Sequence, residues 1–461
     1  MAIRASGLIA LGENPGGVLF FALRSSTDPC GSAPSPVVLP EIIEIVPPSD
    51  SVEAVITVPG SKSITNRALV LAALGDGCTT LEGALWSEDT QVMVECLGRL
   101  GFDVAVGLDA AEPGNRRIRV QGRGGLIPRG GTAASPLELF VGNAGTAARF
   151  LSAMVCLGKG VYRLQGVPRM HERPQGALFC TLRELGYRVE APGDRLPAVI
   201  HGDGPWHPGR VRVDIGESSQ FASALILSAR TAGWEVGIAG SGSEEEAPYV
   251  RMTERLVDVF PRQGGSFLIE PDASSGSYFW AANWLLRTGA GNVSVRGWPQ
   301  SGWQIDAEFP HFLPLPEVTS RELHLGDSIM TAIVLGPLAG RPVRFIDLGR
   351  LRVQECERVV ALRTELSKCG AVVREEHDTL WIEPSILHGA EIETYNDHRI
   401  AMSFATLGLK IPGMKLRNPG CVRKTFPNYF QKLAGPAPGG LGVTILDGAG
   451  RPLAGEALFA G

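Results

Sequence analysis

The chain has 461 residues, 44% of them apolar and 20% charged, with a net charge of −5. That length exceeds what one hydrophobic core serves, so at least two domains are expected. The acidic balance argues against a nucleic-acid partner, and no apolar run nears the roughly 20 residues of a membrane span.

Residues 1–38 read as a flexible extension, with GENPGG and SSTDPCGSAPSP inside it. Arg4, Arg24 and few acids also fit a transit segment, and an upstream start is a third reading; LIALGENPGGVLFFAL is too broken by Gly and Pro for a secretory signal. VEAVITVPG predicts a strand by β-branched alternation. PGSKSITNRALVLAAL, from Pro59, is a polar loop running into a helix, with an apolar stripe at 64, 68, 69, 71 and 74. EDTQVMVECLGRLG predicts a helix stopping at Gly, and RRIRVQG a strand. GNAGTAARFLSAMV, from Gly142, repeats the loop-into-helix junction. After it come the strand YRLQGVP, the basic turn GVPRMHERPQGAL, the helix GALFCTLRELG and the strand VRVDI. Further junctions follow in GESSQFASALILSA from Gly216, PDASSGSYFWAANWLL from Pro271, LGDSIMTAIVLGPL from Leu325 and YNDHRIAMSFATLGL from Tyr395. VRFIDL, the helix CERVVALRTELSKCG and DTLWIEP lie between the last two. Residues 436–461, rich in Gly and Pro, read as a loosely attached tail.

Six junctions, spaced roughly 55 to 80 residues apart, imply mixed α/β units of that size and an internally duplicated fold. The first turn of a helix has unpaired N–H groups and a positive dipole end. A polar loop feeding a helix is therefore an anion site. Six converging junctions would surround a small molecule carrying several negative charges.

The residues at the junctions suit that role. Ser63 is a candidate N-cap, with Lys62 just before it and Arg67 on the same helical face. Asn143, Gly145 and Thr146 permit close backbone approach. Arg169 and Arg173 precede Pro174, which at a first helical turn would leave Arg173 at the helix mouth. Ser218 and Ser219 offer two hydroxyls at a helix start. Asp327, Glu355, Asp397 and His398 add titratable groups beside Arg358, Arg399 and Lys424, and a carboxylate near a lysine in a closed site can exchange protons. Singly, each reads as well as a capped helix or a solvated charge. The eight cysteines form no CxxC and no metal-spaced run with histidine, which favours free thiols in a reducing compartment.

PGSKSITNRALVLAAL, GNAGTAARFL, GVPRMHERPQGAL, SSQFASALI, DSIMT, VQECER, YNDHRIAMSF and KTFPNYF, in that order and spacing, resemble the 5-enolpyruvylshikimate-3-phosphate synthase family over about residues 40–435. The resemblance implies a two-lobed inverse α/β barrel of six βαβαββ units, three per lobe, with the ligand cleft between the lobes. One lobe would hold 40–58 plus 271–435, and the other 59–270. The implied reaction moves the enolpyruvyl group of phosphoenolpyruvate to the 5-hydroxyl of shikimate 3-phosphate, on the route to chorismate and aromatic amino acids. It calls for no metal or organic cofactor. A cytoplasmic monomer is expected. By resemblance, Lys62 contacts phosphoenolpyruvate and moves protons, with Gly145, Arg173, Gln220, Arg358, Arg399 and Lys424 completing that shell. Ser63 and Arg67 hold the shikimate carboxylate, and Ser218, Ser219 and Gln220 lie at the acceptor, with the phosphate on the two hydroxyls. Asp327 is the base for the 5-hydroxyl and Glu355 its acid partner.

Three positions depart from the family pattern. Gln354 stands where a lysine is usual, and Glu246 replaces a serine near Pro248 and Tyr249. Both changes should weaken the grip on the acceptor phosphate. Phe150 follows Arg149 where many members have Pro. Two alternatives follow: an enolpyruvyl transferase of the same fold with another acceptor, or a non-catalytic anion-binding paralogue.

Overall fold

The computed structural model describes residues 39–205, 207–239, 248–287 and 292–460. The 1–38 extension and Glu246 lie outside the described residues. Each of the six junctions opens a helix: Lys62–Leu74, Gly145–Met154, Gln220–Ala232, Ala273–Leu286, Ile329–Leu335 and His398–Leu407.

These helices do not carry the one-sided stripe that the spacing suggested. In Lys62–Leu74 every residue from Ile64 to Leu74 is buried, and Gly145–Met154 and His398–Leu407 are buried throughout. A helix apolar on all sides belongs inside a core. Alanines such as Ala72, Ala147, Ala148 and Ala405 give little bulk, which lets such helices pack side by side. The sheets lie outside them, and their strands alternate buried and exposed residues, as in Glu53–Ile56 and Gly209–Asp214.

Four units are complete. Leu137–Phe140 pairs in parallel with Lys159–Gln165, which runs antiparallel to Ala198–Asp203, and Arg188–Glu190 closes the sheet. Val318–Ser320, Val343–Ile346, Thr379–Ile382 and Val373–Glu376 repeat that order. In the sheet of Cys78–Leu85, the parallel partner is Gly265–Leu268, brought back from far along the chain. In the sheet of Glu391–Glu393 and Met414–Arg417, the distant strand is Ile42–Val46. The other two units are reduced, among the described residues, to parallel pairs: Gly209–Asp214 with Trp234–Ala239, and Glu53–Ile56 with Asn292–Val295.

Two apolar cores result. One runs from Ile64 to Ile269. The other joins Leu39–Val58 to Tyr278–Leu458. The chain crosses between them twice, and the crossings lie side by side: Ser61 N donates to Glu270 O at 2.9 Å and Asp272 N to Pro59 O at 2.9 Å. Asp272 caps a helix on each side of this seam. Its Oδ1 accepts from Ser275 N at 2.8 Å and its Oδ2 from Lys62 N at 3.2 Å. Nearby, buried Glu112 accepts from Asn428 at 2.6 Å and from Lys432 at 2.7 Å, across the same seam.

The expected loose tail at 436–461 is corrected. Thr444–Asp447 pairs antiparallel with Ile42–Val46 and with Pro452–Leu453. Leu441, Val443, Ile445 and Leu458 are buried. Glycine-rich flanks disguised the strand Thr444–Asp447. Truncation after Gly440 therefore removes four buried apolar side chains, worth about 1.5–3 kcal/mol each. The shortened protein should melt far lower or aggregate, which a thermal scan will read.

Candidate active site

The first turn of five of the six central helices, or the residue just before it, lines one cavity between the two cores, and Asp327, two residues before the sixth, lines it too. Lys62, Ser63, Arg67, Gly145, Arg173, Ser218, Ser219, Gln220, Asp327, Gln354, Glu355 and Arg399 all line it. Arg358 and Lys424 do not face the cavity. They stand behind its wall, both close to Glu355, with Arg358 at 2.8 Å and Lys424 at 4.0 Å.

Several local expectations change. Ser63 is not the N-cap: the helix begins at Lys62, and Asp272 takes the Lys62 amide. Ser63 and Arg67 are nevertheless joined, because Arg67 Nη1 donates to Ser63 O at 2.8 Å. Pro168, not Pro174, occupies a first helical turn, in Pro168–Glu172. Arg173 follows that helix in extended backbone and reaches Asn143 O at 3.2 Å. Asp397 does cap its helix, accepting from Arg399 N at 2.9 Å. Asp327 does not cap Ile329–Leu335 and is left for arginines.

The cations are organised around buried acids. Asp89, 3% exposed, holds Lys62 at 3.3 Å on one oxygen and Lys424 at 3.4 Å on the other. Asp327 holds Arg399 and Arg321, each at 3.1 Å, on opposite oxygens. Asp397 takes Arg358 through both oxygens, at 2.7 and 3.1 Å. Arg67 and Arg173 differ. The Arg67 guanidinium is fully buried, its four hydrogen bonds run to neutral oxygens, and it lies 5.2 Å from the Phe150 ring centroid. Burial pushes it down to about 10. Arg173 Nε has no partner. A buried cation without a carboxylate is costly, so both are open to an anion.

Burial alone would raise the carboxyls of Asp327 and Glu355. Arg399, Arg321 and Arg358 override it at Asp327, and Arg358, Arg173 and Lys424 at Glu355, and both end well below the usual carboxylate range. Both groups therefore favour the carboxylate form. His398 lies 3.7 Å from Asp397, but burial, Arg399 and Lys62 keep it neutral, and neither ring nitrogen has a partner.

Gly145 is required by contact. A Cβ there would stand 2.3 Å from Arg149 Nη1 and 2.8 Å from Arg173 Nη2. Asp89, Arg149, Arg321, Arg350 and Asp306 also line the cavity and were not singled out in the sequence. Asp89 carried a faint signal, as the second of two acids in a helical first turn. Among the described residues no cluster of three or more His, Cys, Asp or Glu is placed to hold a metal, and no helix is long and apolar enough to cross a membrane.

A carboxyl lowered by folding stabilises the protein above its unfolded value and loses that contribution as pH falls. Wild type should therefore lose stability progressively below about pH 4. Glu355→Gln should show a shallower fall, and equal slopes in melts between pH 3 and pH 6 would contradict the buried ion pairing.

The sequence profile of the family described as EPSP synthase (3-phosphoshikimate 1-carboxyvinyltransferase) matches residues 46–311 and 322–433. A 3-phosphoshikimate 1-carboxyvinyltransferase of Trichormus variabilis is 39% identical over 421 residues, covering 83% of this chain and 96% of that protein. One from Rhizobium etli is 37% identical over 430 residues, covering 87% and 97%. Among solved structures, the EPSP synthase of Acinetobacter baumannii superposes with a TM-score of 0.69 at 21% identity, over 88% of this chain and 99% of that one. The enolpyruvyl transferase NikO of Streptomyces tendae gives 0.61 at 16%, over 88% and 98%. These neighbours share the two-lobed inverse α/β barrel, and the chain belongs to the EPSP synthase family.

Proposed function

We propose that this chain transfers the enolpyruvyl group of phosphoenolpyruvate to the 5-hydroxyl of shikimate 3-phosphate and releases phosphate. One observation carries the reading: six helix starts and several basic side chains converge on a single cavity between two cores. Both substrates are polyanions that must touch, and their mutual repulsion has to be offset by cations already in place. The names of the relatives point to the same reaction.

In this reading Lys62 and Arg173 hold phosphoenolpyruvate together with Gly145, Gln220 and Arg399, and Arg358 and Lys424 fix Glu355 from behind the wall. Ser63 and Arg67 take the acceptor carboxylate, and Ser218 and Ser219 lie at its phosphate. Asp327 receives the proton of the 5-hydroxyl as the oxygen bonds to the enolpyruvyl carbon. Lys62 gives a proton to the methylene carbon, with Glu355 beside it in the cavity wall. The tetrahedral adduct then loses phosphate and a methyl proton, which restores the double bond. Approach of the lobes excludes water and strengthens each contact. Arg350, which donates across the cleft to Ile215 O at 3.1 Å, supports such a closed form. The same reading makes the enzyme a cytoplasmic monomer, supported by free cysteines and by a site completed within one chain.

A second reading, the same chemistry on another acceptor, draws on the uncharged Gln354 in the cavity wall. Phosphate release from phosphoenolpyruvate, compared with shikimate 3-phosphate and with unphosphorylated shikimate, separates the two. Release with the phosphorylated acceptor is expected, and release only with some other acceptor would favour the second. Lys62→Met should lower turnover about 10³-fold with the melting temperature retained. Near-normal turnover would remove Lys62 from the mechanism. Gly145→Ala should crowd Arg173 and raise the KM for phosphoenolpyruvate about tenfold, a loss of roughly one hydrogen bond, while an unchanged KM would place that substrate elsewhere.

A further inference from the structure

Arg321 belongs to none of the six helix junctions. It follows the short strand Val318–Ser320 and falls in the 312–321 stretch between the two segments that the family profile matches. Its backbone is fixed: Arg321 N donates to Ile346 O at 3.1 Å, and Ser320 N donates to His324 Nδ1 at 3.0 Å. The side chain is 7% exposed, lines the cavity and reaches Asp327 Oδ1 at 3.1 Å. Its Nε has no partner.

This placement has two consequences. Asp327 is closed on both oxygens, by Arg321 and by Arg399. A guanidinium against each oxygen stabilises the carboxylate and so makes it a weaker base for a hydroxyl proton. Meanwhile Gln354, on the same cavity, is uncharged, and its amide oxygen already accepts from Arg358. The acceptor's carboxylate has a cation in Arg67, whose partners are all neutral. The acceptor's phosphate lacks one from Gln354, and a guanidinium with an unused N–H stands beside the base instead. A phosphate dianion outcompetes a single carboxylate for such a fork.

We propose that Arg321 binds the acceptor phosphate, and that by turning to it from Asp327 it strengthens that carboxylate as the base that takes the hydroxyl proton. This rests on the acceptor reading given above. The step balances: the O–H bond breaks, its proton goes to Asp327 Oδ1, and the oxygen's electron pair forms the bond to the enolpyruvyl carbon. Arg321 remains a cation throughout. The phosphate then acts as the key that arms the base, and an acceptor without it leaves Asp327 the weaker base.

The test is steady-state kinetics of the full chain with phosphoenolpyruvate and either shikimate 3-phosphate or shikimate. Wild type, Arg321→Gln and Arg321→Lys are compared, each with a melting curve. Arg321→Gln should raise the KM for shikimate 3-phosphate about 30-fold, as for a lost charge-assisted contact, with the KM for phosphoenolpyruvate within about threefold. Its kcat/KM for unphosphorylated shikimate should fall far less, so that the preference for the phosphorylated acceptor collapses. Arg321→Lys should recover part of the loss, and it carries the same comparison if the glutamine variant does not fold. Equal losses with both acceptors, or an unchanged KM for shikimate 3-phosphate in a wild-type-active background, overturn the proposal alone. A folded wild type that releases phosphate with neither acceptor overturns the acceptor reading, and the proposal falls with it.

Discussion

Positive charge gathered around a buried cavity needs negative charge close by. The protein supplies it with Asp89, Asp327, Glu355 and Asp397, each placed against one or two basic side chains. Without these acids, the cluster of lysines and arginines would repel itself and resist folding. With them, the site is neutralised yet poised. A phosphorylated acid that enters competes with the protein's own carboxylates for the same cations. Ligand binding is thus an exchange of ion pairs within a fixed framework, and Arg67 and Arg173, which have no carboxylate hydrogen-bonded to them, stand outside that exchange.

The framework is fixed because its parts come from both cores. Asp272 caps Lys62–Leu74 and Ala273–Leu286 with one carboxylate. The two helix starts on either side of the seam are therefore tied to one point. Lys424 reaches Asn143 O at 3.0 Å, and Arg169 reaches Gln354 O at 2.9 Å, both across the cleft. These contacts are hydrogen bonds to backbone oxygens with few apolar groups among them. Such bonds are readily exchanged for water, which suits a cleft that opens and closes.

Much of the fold was legible in order. All six loop-into-helix junctions opened helices because Ser, Asn, Asp and Gly before an alanine-rich run serve helix starts well. The strands RRIRVQG, VRVDI and DTLWIEP were legible through β-branched content. The 436–461 segment was misread because two Gly-rich flanks outweighed four strand residues. The all-round burial of helices such as Gly145–Met154 and His398–Leu407 was also missed, since periodicity reports one buried face and these two have no exposed one.

The sequence alone carried the residue types, their order and their helix-start positions. These suffice to say that the molecule handles a small polyanion. Which charges meet is a matter of tertiary structure. Asp89 lies far along the chain from Lys424, and Arg321 lies outside every junction, yet each ends against a partner at hydrogen-bond range. The physical reason is that backbone pairing between distant strands, such as Ile42–Val46 with Met414–Arg417, sets where helix starts converge. Charge effects fall off steeply with distance and burial. A shift of a few ångströms, invisible in the order of residues, decides whether an acid is a proton acceptor or a locked counter-ion.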